Sequence, residues 1–213
     1  MTRNCLAIAL TALAMATTPL HAKTITFEKD AVGSPPQDFD FWRTGEGGPG
    51  RWAVVKDETA QGGVALEQTN TERTDYRFPL AIYKPFSGSD VNVETHFKPI
   101  AGRVDRAGGI AVRLTTPSDY YVVRANALEN NVRFYRVVKG NREQLAGFNT
   151  KVMSNDWHTL GLRAEGERFT VSFDGKQLFT ATDDTYKDPG KVALWTKADS
   201  ITRFDRLDVR QLP

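Results

Sequence analysis

Of the 213 residues, 28 are Lys or Arg and 26 are Asp or Glu, a net charge of +2 with both signs interspersed, which removes the electrostatic case for nucleic acid or an anionic membrane as partner. The one cysteine is Cys5, so no disulfide framework can hold the chain and stability has to come from a core. The length allows one, since a domain of about 150 residues already hides about 70% of its unfolded surface.

Met1 to Ala22 reads as a secretory signal peptide: a basic start at Arg3, an apolar stretch from Leu6 to Ala16, and a break at Pro19. A cut after Ala22 leaves Leu20 where a small residue is usual, and a cut after Ala16 is the alternative. The apolar run is too short for a stable bilayer-spanning helix and no second one follows. The expectation is a periplasmic or secreted protein, without membrane insertion and monomeric, with a single domain over 23–213. Loss of Arg3 lowers the net charge by one, and cleavage removes the only cysteine.

From Lys23 onward apolar residues recur with period two over short runs, punctuated by Gly, Asn, Asp or Pro, and no amphipathic helix stands out. The stretch from Ala31 to Arg51 departs from that pattern, with Pro35-Pro36 and Gly45-Glu-Gly-Gly-Pro-Gly50 among Phe39, Phe41 and Trp42, and Trp52 just beyond. It reads as a long loop near a binding edge or as a flap whose aromatics plug one end of the fold. Val91, Val93, Thr95 and Phe97 share one face of a strand, with Asn92, Glu94 and His96 on the other.

Ile110, Val112 and Leu114 should oppose Ala111 and Arg113. After the turn at Thr116 to Asp119, Tyr121, Val123 and Ala125 oppose Tyr120, Val122, Arg124 and Asn126. Turns at Glu129 to Asn131 and Lys139 to Arg142 bracket a strand over Val132 to Val138, and a short strand follows around Gln144 to Phe148. Trp157, Leu160 and Leu162 open another strand, with Trp157 read into a core stripe alongside Phe169, Val171 and Phe173. Phe169 to Phe173 runs into Asp174-Gly175, a dipeptide suited to a type I′ hairpin turn. Val192 to Lys197 and Ile201 to Arg210 close the domain. The fold class is therefore all-β, a two-sheet antiparallel sandwich.

Gly108 to Leu114 with Tyr120 to Arg124, Asp156-Trp-His-Thr-Leu160 with Phe173 to Lys176, and Gly190 to Trp195 with Ala198 to Ser200 and Phe204-Asp205 together resemble the concanavalin A-like lectin/glucanase superfamily. Within it they look like the 3-keto-disaccharide hydrolase domain family. The resemblance implies a jelly roll whose concave sheet holds sugars on its outer face. Family 16 glycoside hydrolases of the same fold carry a Glu-x-Asp-x-x-Glu strand; here Glu28-Lys-Asp30 is followed by Gly33 instead. That departure removes the warrant for retaining glycosidase chemistry, which needs two carboxyl groups about 5 Å apart.

Sugar recognition pairs an aromatic surface with planar hydrogen-bonding groups. If the strands bearing Glu94, His96, Arg113, Arg124, Asn126 and Tyr135 neighbour one another, their non-core side chains line one surface, closed by Trp195 to Asp199. Arg113, Arg124, Asn126, Tyr135, Trp195 and Asp199 are the ligand-binding candidates, and Tyr121 joins them on the family pattern alone. The same side chains on a plain solvated face would make cross-strand ion pairs of about 0.2–1 kcal/mol each. Glu94 and His96 are the acid/base candidates if the protein is an enzyme, and His158 reads as structural. No cofactor is required. A structural calcium ion would find oxygen ligands at Asp183, Asp184 and Asp188, or, from the habit of this fold, at the chain's two ends where Glu28 and Asp205 lie. Three functions remain open: a carbohydrate- or glycoside-binding jelly roll, a glycoside hydrolase or lyase, and an envelope-interaction protein without a small ligand.

Overall fold

The computed structural model describes residues 22–213, so the leader expected over Met1–Ala22 lies, but for Ala22, outside the described residues. Fifteen strands follow in chain order: β1 Ala22–Thr26, β2 Phe39–Gly45, β3 Trp52–Lys56, β4 Val64–Gln68, β5 Arg77–Gly88, β6 Val91–Ala101, β7 Ala107–Thr116 and β8 Asp119–Asn126. After them come β9 Asn131–Val138, β10 Asn141–Asn149, β11 His158–Glu165, β12 Arg168–Phe173, β13 Lys176–Thr182, β14 Gly190–Thr196 and β15 Ile201–Gln211. One 3-10 turn, Gln61–Gly63, is the only helical piece among the described residues, and none of their helices is long and apolar enough to cross a membrane.

The strands form two antiparallel sheets. The eight-stranded sheet runs β13-β12-β11-β6-β15-β4-β3, with β1 also on β15; the seven-stranded sheet runs β10-β9-β8-β7-β14-β5-β2. The inward faces meet in one core that takes Val91, Val93 and Phe97 from β6, Tyr121, Val123 and Ala125 from β8, and Phe169, Val171 and Phe173 from β12. These are the faces that two-residue alternation assigns. The hairpins follow their turn chemistry as well: Asp174 and Gly175 take φ 48° and 75°, and Lys139 and Gly140 take 49° and 81°, the pair of positive angles a type I′ turn requires.

The seven-stranded sheet is strongly curved, and its outer face is concave. Thr44 on β2 and Tyr120 on β8 have three strands between them in the sheet, yet their hydroxyls lie 2.7 Å apart. Tyr76, just before β5, donates from its hydroxyl to Gly140 O at 2.9 Å and accepts from Arg142 N at 3.0 Å. Curling brings Phe78, Leu80, Ile82, Ala111, Leu114, Tyr120, Val122, Tyr135, Val137 and Trp195 together as a second apolar cluster on that face. Each apolar face thus loses most of its water, a gain of about 25 cal/mol per Å² of apolar surface.

Three sequence expectations change. Ala31 to Arg51 is not a single loop: it contains β2, the edge strand paired with β5, with Phe39 in the main core and Phe41 stacked near Trp52 at 6.3 Å. Its Pro and Gly residues mark the turns on either side of that strand. Trp157 is not a core residue but lies half-buried outside the eight-stranded sheet, stacked on His96 with centroids 4.8 Å apart. Alternation along β7 breaks at a bulge between Val112 and Thr116, where Arg113 has φ 50°. Val112 is in the main core and Leu114 in the outer cluster, and the added residue, Arg113, turns inward at the sandwich edge.

Candidate functional site

One end of the concave face carries a dense set of polar side chains, positioned by three connections. Gly102, in the crossing from β6 to β7, has φ 140°, and a Cβ there would meet Asp105 O at 1.8 Å, so only glycine permits the tight turn. The turn is held from the other side by Asp199, between β14 and β15. Its carboxylate, 4% exposed, accepts from the backbone N–H of Arg103, Val104 and Asp105 at 2.8, 3.0 and 3.1 Å. Burial opposes its charge, but those three donors outweigh burial and hold its pKa below the usual carboxylate range.

Asp105 is thereby fixed beneath the face. Its Oδ1 accepts from Asn126 Nδ2 at 2.8 Å, and its Oδ2 lies 3.0 Å from Lys197 Nζ. Lys197 also meets Asp75, at 2.7 Å. Burial raises the Asp105 pKa, with Lys197 opposing. For Lys197, burial disfavours the charge but its two carboxylates outweigh burial and its pKa rises. Asn126 Oδ1 accepts from Leu128 N at 2.8 Å, which shapes the turn leading to Glu129.

Arg124, 5% exposed, donates to Glu129 Oε2 at 2.7 Å, to the Tyr135 hydroxyl at 3.2 Å, and to Asn131 Oδ1. Glu129 is pushed up by burial, yet Arg124 and Asn131 outweigh that and leave its pKa lowered. Beside Tyr135 the Arg142 guanidinium lies 4.4 Å from that ring, 4.8 Å from Phe78 and 6.0 Å from Trp195. The result is a patch of planar donors and acceptors beside aromatic rings.

The structure thus brings Arg124, Asn126, Tyr135, Trp195 and Asp199 to one end of one face, in differing roles. Asn126 and Asp199 are buried supports. Trp195 is fully buried, stacked on Phe78 at 5.4 Å and roofed by Arg142, so its ring is no open platform for a ligand. The expected set is corrected in three respects. Arg113 is 1% exposed and donates to Ser89 O, Tyr186 O and Gly166 O at 2.8, 2.7 and 2.6 Å, and to Asp90 at 3.2 Å. The bulge turns it away from Arg124, which pairs with Gly109 four positions back along β7.

Tyr121 belongs to the main core, with its hydroxyl bound to Asp183; burial, reinforced by Asp183, pushes its pKa up to about 12. Glu94 and His96 stand on β6 in the other sheet, because the turn at Gly102 changes sheets where simple adjacency would have kept β6 beside β7. There Glu94 lies 3.6 Å from Arg206, and His96 Nδ1 is 2.8 Å from Asp205 Oδ1.

Asp205, fully buried, also accepts from Gln61 N at 2.8 Å, while Glu28 lies against Gly62 of the same 3-10 turn. Asp183 is taken up by Tyr121 and Arg136. Among the described residues, no group of three or more His, Cys, Asp or Glu is arranged to hold a metal ion. His158 is structural, bonded to Asp174 at 2.8 Å and to Met153 N at 3.1 Å. Sequence reasoning missed Asp75, Asp105, Glu129 and Arg142, and took in Lys197 only as part of the closing segment from Trp195 to Asp199. Glu129, in the hairpin turn after Arg124, and Arg142, on the strand that folds back on β9 beside Tyr135, were the most open to discovery; Asp75, Asp105 and Lys197 meet only through long-range contacts.

Two facing antiparallel sheets, one with a concave outer face bearing a polar patch, form a jelly-roll sandwich of the kind seen in lectins and glucanases. Residues 88–212, more than half of the chain, match the model of the galactocerebrosidase C-terminal lectin domain. The chain belongs to that family. Solved structures agree on the fold. A Bacillus licheniformis beta-glucanase superposes with a TM-score of 0.60 at 13% identity, covering 90% of this chain and 98% of that one. The carbohydrate binding module CBM66 from Bacillus subtilis gives 0.59 at 23% identity, over 73% and 88%. Domain 4 of AbnA, a GH43 extracellular arabinanase from Geobacillus stearothermophilus in complex with arabinotriose, gives 0.55 at 14%, over 90% and 92%. No curated protein matches the chain.

Proposed function

We propose that the protein is an exported carbohydrate-binding jelly roll that takes a glycan or glycoside at the polar end of the concave face. Arg124, Glu129, Lys197 and Tyr135 supply the contacts. The observation that carries this reading is the Arg124–Glu129–Tyr135 group beside the Lys197–Asp105 pair: fixed donors and acceptors next to aromatic carbon, the complement of a sugar's hydroxyls and C–H faces. The lectin-domain family and the carbohydrate-binding module among the fold relatives support it.

The test is a glycan panel read by calorimetry on the secreted protein, with Arg124→Ala and with Glu129→Gln at the half-exposed partner, each variant first checked for folding by circular dichroism. Binding weakened at least about tenfold in the first variant and several-fold in the second is expected. Absence of binding across the panel, or affinity untouched by both variants, refutes it. Export is checked by N-terminal sequencing of protein from the periplasm or medium, with Lys23 the expected first residue.

Turnover of a glycoside, as in the 3-keto-disaccharide hydrolase family, is a second reading. It is favoured by the His96 imidazole, whose Nδ1 is held by a fully buried carboxylate and whose ring is stacked on Trp157, an orientation suited to a general base. Product formation from a 3-keto-glycoside, lost in His96→Ala with folding kept, supports it; no turnover refutes it.

A further inference from the structure

Resting on the carbohydrate-binding reading, we infer that the glycan is anionic, bearing a carboxylate or sulfate that Arg142 takes. Arg142 differs from the other cations at this end of the concave face. Arg124 is neutralised by Glu129 at 2.7 Å, and Lys197 by Asp75 and Asp105 at 2.7 and 3.0 Å. Among the described residues Arg142 has no carboxylate within 4 Å, and no side-chain N–H of it meets an acceptor. Its Nη1 is wholly buried and unpartnered, so that N–H is shielded from solvent as well.

Three aromatic rings hold the guanidinium in place, at 4.4, 4.8 and 6.0 Å from Tyr135, Phe78 and Trp195. Stacking on ring faces favours the cation, and with Nη1 buried the in-plane edge open to a ligand is that of Nε and Nη2. That edge is the fork which pairs with two oxygens of a carboxylate or sulfate. The neighbouring carboxylates are already engaged, so none is free to fill the position from within. Arg124, its guanidinium 5.8 Å from the Tyr135 ring, already has its counter-ion in Glu129, which leaves Arg142 as the cation open to an anionic ligand. A neutral sugar would leave Arg142 without a counter-ion, and an anionic sugar supplies one.

The experiment compares matched ligand pairs by calorimetry on the mature protein: oligogalacturonides against the same oligosaccharides after carboxyl reduction, and chondroitin sulfate oligosaccharides against their desulfated form. Affinity at least about tenfold higher for the anionic member of one pair is expected, shrinking as salt is raised. Which pair responds identifies the carboxylate or the sulfate. Arg142→Gln should abolish the preference, and Arg142→Lys should keep part of it. If Arg142→Gln does not fold, the wild-type pairs and the Lys variant decide. Equal affinity within both pairs, or a preference that survives in Arg142→Gln, overturns the inference. Binding confined to neutral glycans also overturns it and leaves the carbohydrate-binding reading intact, whereas absence of any glycan binding removes both.

Discussion

Replacing Arg113 by Met should cost the fold dearly and leave ligand affinity alone. The guanidinium is 1% exposed and satisfies three backbone carbonyls and Asp90 at 2.6 to 3.2 Å, joining the β5–β6 turn at Ser89, the β11–β12 turn at Gly166 and the segment before β14 at Tyr186. Methionine keeps much of the stem's packing against Phe169, over which the guanidinium lies at 5.2 Å. What is lost is the polar head, and three carbonyls and a carboxylate are left facing one another.

Asp90 is 30% exposed and can rehydrate, so the penalty falls below the sum of four charged hydrogen bonds, at roughly 3–4 kcal/mol, in the range for breaking a buried pair. With an m-value of about 2 kcal/mol/M, the urea midpoint should drop by roughly 1.5–2 M. Urea unfolding followed by tryptophan fluorescence measures the drop, and calorimetry on the folded variant measures affinity. A midpoint within about 0.3 M of wild type, a shift too small for a buried network, would refute the structural role. So would a stable variant that no longer binds ligand.

Two further outcomes are expected. Gly109→Ala places a Cβ 2.5 Å from Val123 O and 3.1 Å from Arg124 Cβ, contacts with backbone and a buried side chain that cannot yield cheaply; a loss of about 1–3 kcal/mol is expected, seen in thermal unfolding together with weaker glycan binding, and an unchanged melting midpoint would contradict it. Acid should unfold the protein through Asp57 as well as Asp199. Burial of Asp57 opposes its charge, but Lys98, Thr59 and Arg203 outweigh it and lower its pKa. A carboxylate depressed in the folded state contributes stability that is complete above its unfolded pKa of about 3.9 and is lost as pH falls through the folded value. Stability should therefore decline from about pH 4 downward, and Asp57→Asn should flatten that decline while lowering stability at pH 7; equal acid slopes for the two proteins would count against the assignment.

Alternation of side chains is a property of a few consecutive residues, and wherever it was unbroken the sequence by itself determined the result: the inward set Val91, Val93 and Phe97, the opposition of Tyr121 and Val123 to Tyr120 and Val122, and the Asp174-Gly175 hairpin. The sandwich class follows from those local facts, because each strand hides one face. Which strands share a sheet does not follow, since β6 and β7 are consecutive and part company at Gly102. Only the tertiary structure decided that Arg113 leaves the face of Arg124, through the bulge after Val112, and that Trp195 is roofed, through curvature that brings Thr44 to Tyr120 across three strands. The polar patch itself joins Asp75, Asp105, Arg124 and Lys197 from distant parts of the chain, and hydrogen bonds made at that range leave no periodic trace in the order of residues.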